Sequence, residues 1–155
     1  MPEKETLERA REDAAEGKAP STQAGEFVKE EMDHIKEGKH GARSTKQAIA
    51  IGLSKARRAG VDLPPPSGGD PDTRRKAAQD SRRGQTGSGR RPSATRSRAT
   101  RQALKREGHS AASRSALARQ ARTAARRRSA GSRSASARRA AATRKRTSTR
   151  NRGRG

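Results

Sequence analysis

Fifteen bases fall between Arg114 and Arg154 with no carboxylate among them: Arg114, Arg119, Arg122, Arg126, Arg127, Arg128, Arg133, Arg138, Arg139, Arg144, Lys145, Arg146, Arg150, Arg152 and Arg154. The last acid of the chain is Glu107. A guanidinium presents a planar fork of donors that matches a phosphate bidentately, so this set is suited to neutralising a polyanion. If about 6–10 of these bases engaged phosphates, affinity would fall roughly 10³–10⁵-fold between about 50 and 200 mM salt. Spacing adds a little order: Arg119, Arg122 and Arg126 share one face of a helix over 113–128. The stretch has no aromatic residue for base stacking, which argues against a single-strand platform or an RNA-recognition sheet.

Other residue types with chemical potential are thinly spread. His34 and His40 stand six apart and His109 is remote, so a solvated or helix-end role is expected and a metal site is not. The acid clusters Glu12–Asp13 and Glu30–Glu31–Asp33 read as solvated helix faces rather than paired catalytic carboxylates. Gly87-Ser-Gly89 lacks the lysine and the preceding strand of a phosphate loop and reads as linker. The chain has no cysteine, so thiolate metal sites and thiol nucleophiles are excluded. No nucleophile–base pair emerges, and neither enzyme activity nor a cofactor is expected.

The charge is segregated. Residues 1–66 hold twelve bases and twelve acids, whereas 67–155 hold 27 bases and four acids, which accounts for the whole net charge of +23. Only 26% of residues are hydrophobic and Phe27 is the single aromatic. Backbone ordering costs roughly 1–2 kcal/mol per residue, so few large apolar side chains together with high charge predict a mostly disordered chain, all-α where ordered. The acidic, polar start is unlike a signal peptide, and no apolar run nears the roughly 20 residues of a membrane span. A soluble protein, cytoplasmic and nucleoid-associated, is expected.

Four segments follow. Residues 1–20 favour helix by propensity, but Leu7 is their only large apolar residue apart from Met1, so a solvated, fraying helix is expected. Residues 21–63 predict a helix–loop–helix head. Phe27, Val28, Met32 and Ile35 recur at helical spacing up to Gly38, and Ser44-Thr-Lys-Gln47 reads as a capping box opening a second helix through Ile49 and Leu53 to Arg57–Arg58. Residues 1–37 carry six bases against eleven acids and 38–66 six against one, so the apolar stripes pair with favourable charge. The interface is small enough to call for self-association or a protein partner. Lys46, Gln47, Lys55, Arg57 and Arg58 read as the ordinary polar face and last turn of that helix, not as a recognition helix. Residues 64–94 read as a Pro/Gly/Ser linker, and 95–155 as a basic low-complexity Arg/Ala/Ser tail. Its transient helices, 95–106 and 113–128, break at Gly108, with Leu104 and Leu117 as the tail's only large apolar residues.

Residues 38–66, GKHGARSTKQAIAIGLSKARRAGVDLPPP, resemble an uncharacterised family of small bacterial proteins of the DUF6496 type. The KQAIAIGLS-x-AR-x-x-G core of that family is here Lys46–Gly60, and the preceding PSTQAGEFVKEEMDHIKEGKHGARS is similar to its longer members. The resemblance covers about the first 66 residues and implies no settled activity. The tail is similar in composition to the Ala/Arg-rich tails of bacterial histone H1-like proteins.

The function expected from the residues is therefore a sequence-independent, histone H1-like DNA binder acting by phosphate neutralisation. The alternatives are an RNA- or ribosome-associated basic protein, and a stress or assembly adaptor working through residues 21–63. Nucleic acid is the expected partner of the tail, a protein or a second copy that of the head.

Overall fold

The computed structural model describes residues 1–87 and 93–152, of which 147–152 as backbone only. The described residues form seven α-helices and no strand: α1 Lys4–Ala15, α2 Pro20–Lys36, α3 Thr45–Arg58, α4 Pro71–Thr86, α5 Ala94–Lys105, α6 Arg114–Arg126 and α7 Ala130–Arg152. A single 3-10 turn spans Ser110–Ala112. The chain divides into two compact units, Met1–Leu117 and Ala118–Gly155, each taken by itself below.

Helices α2 and α3 are the centre of the first unit. Pro20 starts α2, where a missing N–H costs nothing. Ser44 caps α3, its Oγ accepting the Gln47 N–H at 3.2 Å. The reciprocal bond of the expected capping box is displaced by one residue: Gln47 Oε1 accepts the Arg43 N–H at 2.7 Å. The two helices approach backbone to backbone at Gly52, where a Cβ would stand 2.7 Å from Val28 Cα and 3.0 Å from the Phe27 carbonyl oxygen. That position therefore has to be glycine.

Around this crossing the core forms two clusters. Met32 and Ile35 pack with Ala42, Ala48, Ala111 and Ala112, and Val28, Ile49 and Leu117 lie against them. Phe27, Ala24, Ala10 and Ala56 form the other, flanked by Leu7, Leu53, Val61 and Leu63. All six apolar residues expected at the head interface thus contribute, Phe27 and Ile35 being fully buried.

Several expectations are corrected here. The chain is not mostly disordered; the described residues are predominantly helical, the tail included. Helix α1 is not a free solvated helix. Thr6, Ala10 and Asp13 are buried, Leu7 reaches the Phe27 cluster, and Arg9 bonds Glu26 at 2.7 Å. Nor is the 64–94 stretch only linker, because 71–86 is α4. Asp70 caps it, accepting the Thr73 N–H at 3.1 Å, and Gly84 meets the Arg57 carbonyl of α3 in a contact that has no room for a side chain. The remainder of that linker, including Ser88–Gly89 and residues 90–92, lies outside the described residues.

The break at Gly108 is a docking point. Gly41 N–H donates to Leu104 O at 2.9 Å, Ala42 N–H to Gly108 O at 3.0 Å, and Thr45 Oγ1 to Ala111 O at 2.6 Å. Residues 104–112, α1 and α4 all pack against the α2–α3 pair. Leu104 is half-buried and contributes mainly its carbonyl, while Leu117 joins the Ile35 cluster.

The second unit holds the rest of α6 and all of α7. Arg133 closes the turn between them, its Nη1 donating to Arg128 O at 2.9 Å and Ala125 O at 3.5 Å on the open carbonyl end of α6. Basic side chains commonly satisfy last-turn carbonyls in this way.

The glycines give a paired test. Gly52→Ala forces a methyl into the α2–α3 backbone contact and should destabilise the fold by about 1–3 kcal/mol. Gly25→Ala, on an open face of α2 with nothing within 4 Å, should stabilise it by roughly 0.5–1 kcal/mol. Urea denaturation followed by circular dichroism reads both, and equal effects would contradict the tight crossing.

Candidate nucleic-acid interface

Twelve of the fifteen expected phosphate-binding residues have described side chains, and all twelve are exposed: Arg114, Arg119, Arg122, Arg126, Arg127, Arg128, Arg133, Arg138, Arg139, Arg144, Lys145 and Arg146. Arg150 and Arg152 fall on the described backbone of α7, and Arg154 lies outside the described residues. Among the described residues, no arginine of this set is paired with a carboxylate. Arg119, Arg122 and Arg126 are three and four apart along α6 and form one stripe. On α7, the bases from Arg133 to Arg146 step around every side of the helix at 100° per residue, leaving no apolar face. Arg128 and Arg133 also hold the α6–α7 turn, through Ser132, Ser136 and the α6 carbonyls.

Residues 1–66 treat their bases differently, assigning most to internal partners. Lys18 lies 2.6 Å from Asp13 and 3.0 Å from Glu16, and both push its pKa up. Arg57 is buried, and its Nε and Nη2 donate to the carbonyls of Leu63 (3.2 Å) and Pro64 (3.1 Å); burial pushes its pKa down, against the charge of Asp80. Arg58 stands 3.3 Å from the buried Asp80, whose other oxygen accepts Ser54 Oγ at 2.6 Å. The last-turn bases of α3 are therefore structural parts, not a solvated polar face. Of the bases considered for a recognition helix, Lys46 alone is exposed with no ion-pair partner among the described residues. Gln47 is used by the α3 cap.

At the centre of the unit, Lys55 of α3 sits between Glu30 and Glu31 of α2. Its Nζ is 3.0 Å from Glu30 Oε1 and in contact with Glu31 Oε1. Both carboxylates are buried, Glu31 to 1% exposure, which corrects their reading as a solvated face; Asp13 is buried as well. Burial alone would raise the Glu30 pKa. The Glu3 backbone N–H at 3.0 Å, the Thr6 hydroxyl and Lys55 outweigh it and hold the carboxyl below its usual 4.5. Burial alone would likewise lower Lys55, and Glu31 with Glu30 raises it above 10.5.

Glu31 Oε1 is met by Lys55, while its Oε2 has no hydrogen-bond partner. His40 Nε2 lies 3.4 Å from its Oε2, and the rings of His34 and His40 meet edge to face at 5.9 Å between centroids. The two histidines are thus neither isolated nor solvated, their side chains being 14% and 15% exposed. The only hint in the sequence was the Glu31–His34 spacing of three on α2; His40 joins them through the loop fold.

Residues 20–67 match the model of a family of unknown function (DUF6496). The resemblance carried by Lys46–Gly60 therefore holds for α2, the loop, α3 and the proline run. No curated protein and no solved structure matches the chain. Among the described residues no helix is long and apolar enough to cross a membrane.

Because the Glu30 carboxyl titrates lower in the folded chain, its contribution to stability is present above about pH 4.5 and lost as the pH falls through its folded-state value. Lys55 acts at the other end: its contribution is complete below about pH 10.5 and lost as the pH rises through its raised value. Glu30→Gln should flatten the fall in stability below about pH 4.5 and, by removing one of the two carboxylates that raise Lys55, should also weaken the alkaline limb, as measured by urea midpoints across pH. An unchanged acid limb would contradict the assigned ion pairing.

Proposed function

We propose that the protein is a non-catalytic, sequence-independent nucleic-acid binder that acts on DNA in the manner of histone H1-like proteins, with α6 and α7 as the phosphate-neutralising elements. The observation that supports it is the division of labour among bases. In residues 1–66, bases and acids balance at twelve each, whereas the twelve described bases between Arg114 and Arg146 are exposed. Exposed charge of one sign recruits an external polyanion and releases its condensed counter-ions.

Helical order adds geometry to that charge. Helix α7, with 23 residues, is about 34 Å long, roughly one turn of B-DNA. Its bases on every side suit contact with more than one phosphate strand, hence compaction or bridging of duplexes. Exposed arginine without aromatic partners reads backbone and groove width rather than base edges. In this reading the protein is associated with the nucleoid, and residues 20–67 provide a folded body attached to the binding elements.

The test is a salt series of gel shifts on duplex DNA with the full chain. Affinity should fall roughly 10³–10⁵-fold from about 50 to 200 mM salt, with little difference between unrelated sequences. Replacing Arg119, Arg122 and Arg126 together by Gln keeps helix propensity and should reduce the log–log salt slope by about 3. Binding that ignores salt would refute the proposal, and structured RNA that outcompetes duplex DNA would move it to the RNA-associated alternative.

A further inference from the structure

We propose that Glu31, His34 and His40 form a binding site for one divalent transition-metal ion of the zinc class. One ligand-capable atom from each residue lies within 4.8 Å of the other two. A tetrahedral ion with ligands at about 2.1 Å spaces its donors by roughly 3.4 Å, so side-chain adjustments alone close the set. Two imidazoles and one carboxylate favour zinc, cobalt, nickel or copper over magnesium or calcium, which prefer all-oxygen shells.

Both imidazoles already have the outer partners that metal-bound histidines require. Glu3 Oε1 is 2.8 Å from His34 Nε2, which leaves Nδ1 as the nitrogen with a free lone pair. His40 Nδ1 lies 3.1 Å from the Gly41 carbonyl and donates to it, leaving Nε2, the nitrogen that faces Glu31. A carboxylate and a backbone carbonyl are the usual groups that fix tautomer and ring orientation in this way. The loop carrying His40 is itself pinned by the bonds of Gly41 and Ala42 to Leu104 and Gly108.

The third ligand is a buried group with an unmet requirement. Glu31 is 1% exposed, with Oε1 against Lys55 Nζ and Oε2 without a hydrogen-bond partner, a costly state for a buried carboxylate oxygen. Lys55 supplies charge there, yet it also has Glu30 Oε1 at 3.0 Å and stays paired when a metal takes over Glu31. Glu31 and His34 are three apart on α2 and rise on one face.

The test uses the full chain freed of nucleic acid, titrated with Zn²⁺ by calorimetry and with Co²⁺ by visible absorption. One equivalent should bind saturably, with Co²⁺ giving the d–d bands of a low-coordinate site. His34→Gln with His40→Gln should abolish the site, and His109→Gln should leave it intact. Glu3→Gln, which touches no metal, should weaken binding by about 10–100-fold. Circular dichroism verifies that each variant remains helical. Absence of a saturable equivalent in the parent chain, or equal binding after loss of both His34 and His40, overturns the proposal. So does a Co²⁺ spectrum indistinguishable from the hydrated ion, a result that needs no variant.

Discussion

The backbone contact at Gly52 is the constraint on which the first unit rests. With α3 drawn against Val28 and Phe27 of α2, the helices are close enough for Lys55 to lie between Glu30 and Glu31. The same closeness lets alanines such as Ala24, Ala48 and Ala56 fill the space that larger side chains would occupy between helices further apart. The match to a family of unknown function spans these elements and little else, so the shared part is this crossing with its loop and its proline exit. Helices α1 and α4 and the 104–112 segment are built onto it.

Charge is handled by two rules in one chain. In residues 1–66 most bases have an internal partner, and the buried carboxylates of the first unit are paired: Lys18 with Asp13, Lys55 with Glu30 and Glu31, Arg58 with Asp80. Removing one member of such a group leaves an uncompensated charge, so these pairs specify which helix faces meet even where their net contribution to stability is small. Beyond Glu107 the second rule holds, and the described bases from Arg114 to Arg146 face solvent. What the two parts have in common is helix, not electrostatics.

Much of the local structure was legible. The stripe Phe27, Val28, Met32 and Ile35, the Ser44 cap, and the breaks at Gly38, Gly60 and Gly108 place α2, α3, α5 and α6 within a residue or two of their observed bounds. The contacts between segments were not. Counting large apolar residues led to an expectation of disorder, because it gave no weight to alanine packed at short helix separations. The acids of α2 read as solvated because Lys55 is 25 residues distant and only the fold brings it there. For the same reason two histidines on either side of a loop looked solitary. The candidate interface on α6 and α7 is the opposite case, since exposure of a base in an acid-free stretch requires no knowledge of tertiary structure.

Eight of the eleven buried apolar residues in the described chain are alanine. Alanine has no rotamers to lose, so ordering the apolar part of this interior takes almost nothing from side-chain entropy beyond the contributions of Phe27, Met32 and Ile35. A chain poor in large hydrophobes can fold on those terms, provided its helices come nearly into backbone contact. The corollary is narrow tolerance: extra methylenes at Ala48, Ala56 or Ala112 would wedge whole helices apart, so over evolutionary time this interior has room to change identity only by staying small.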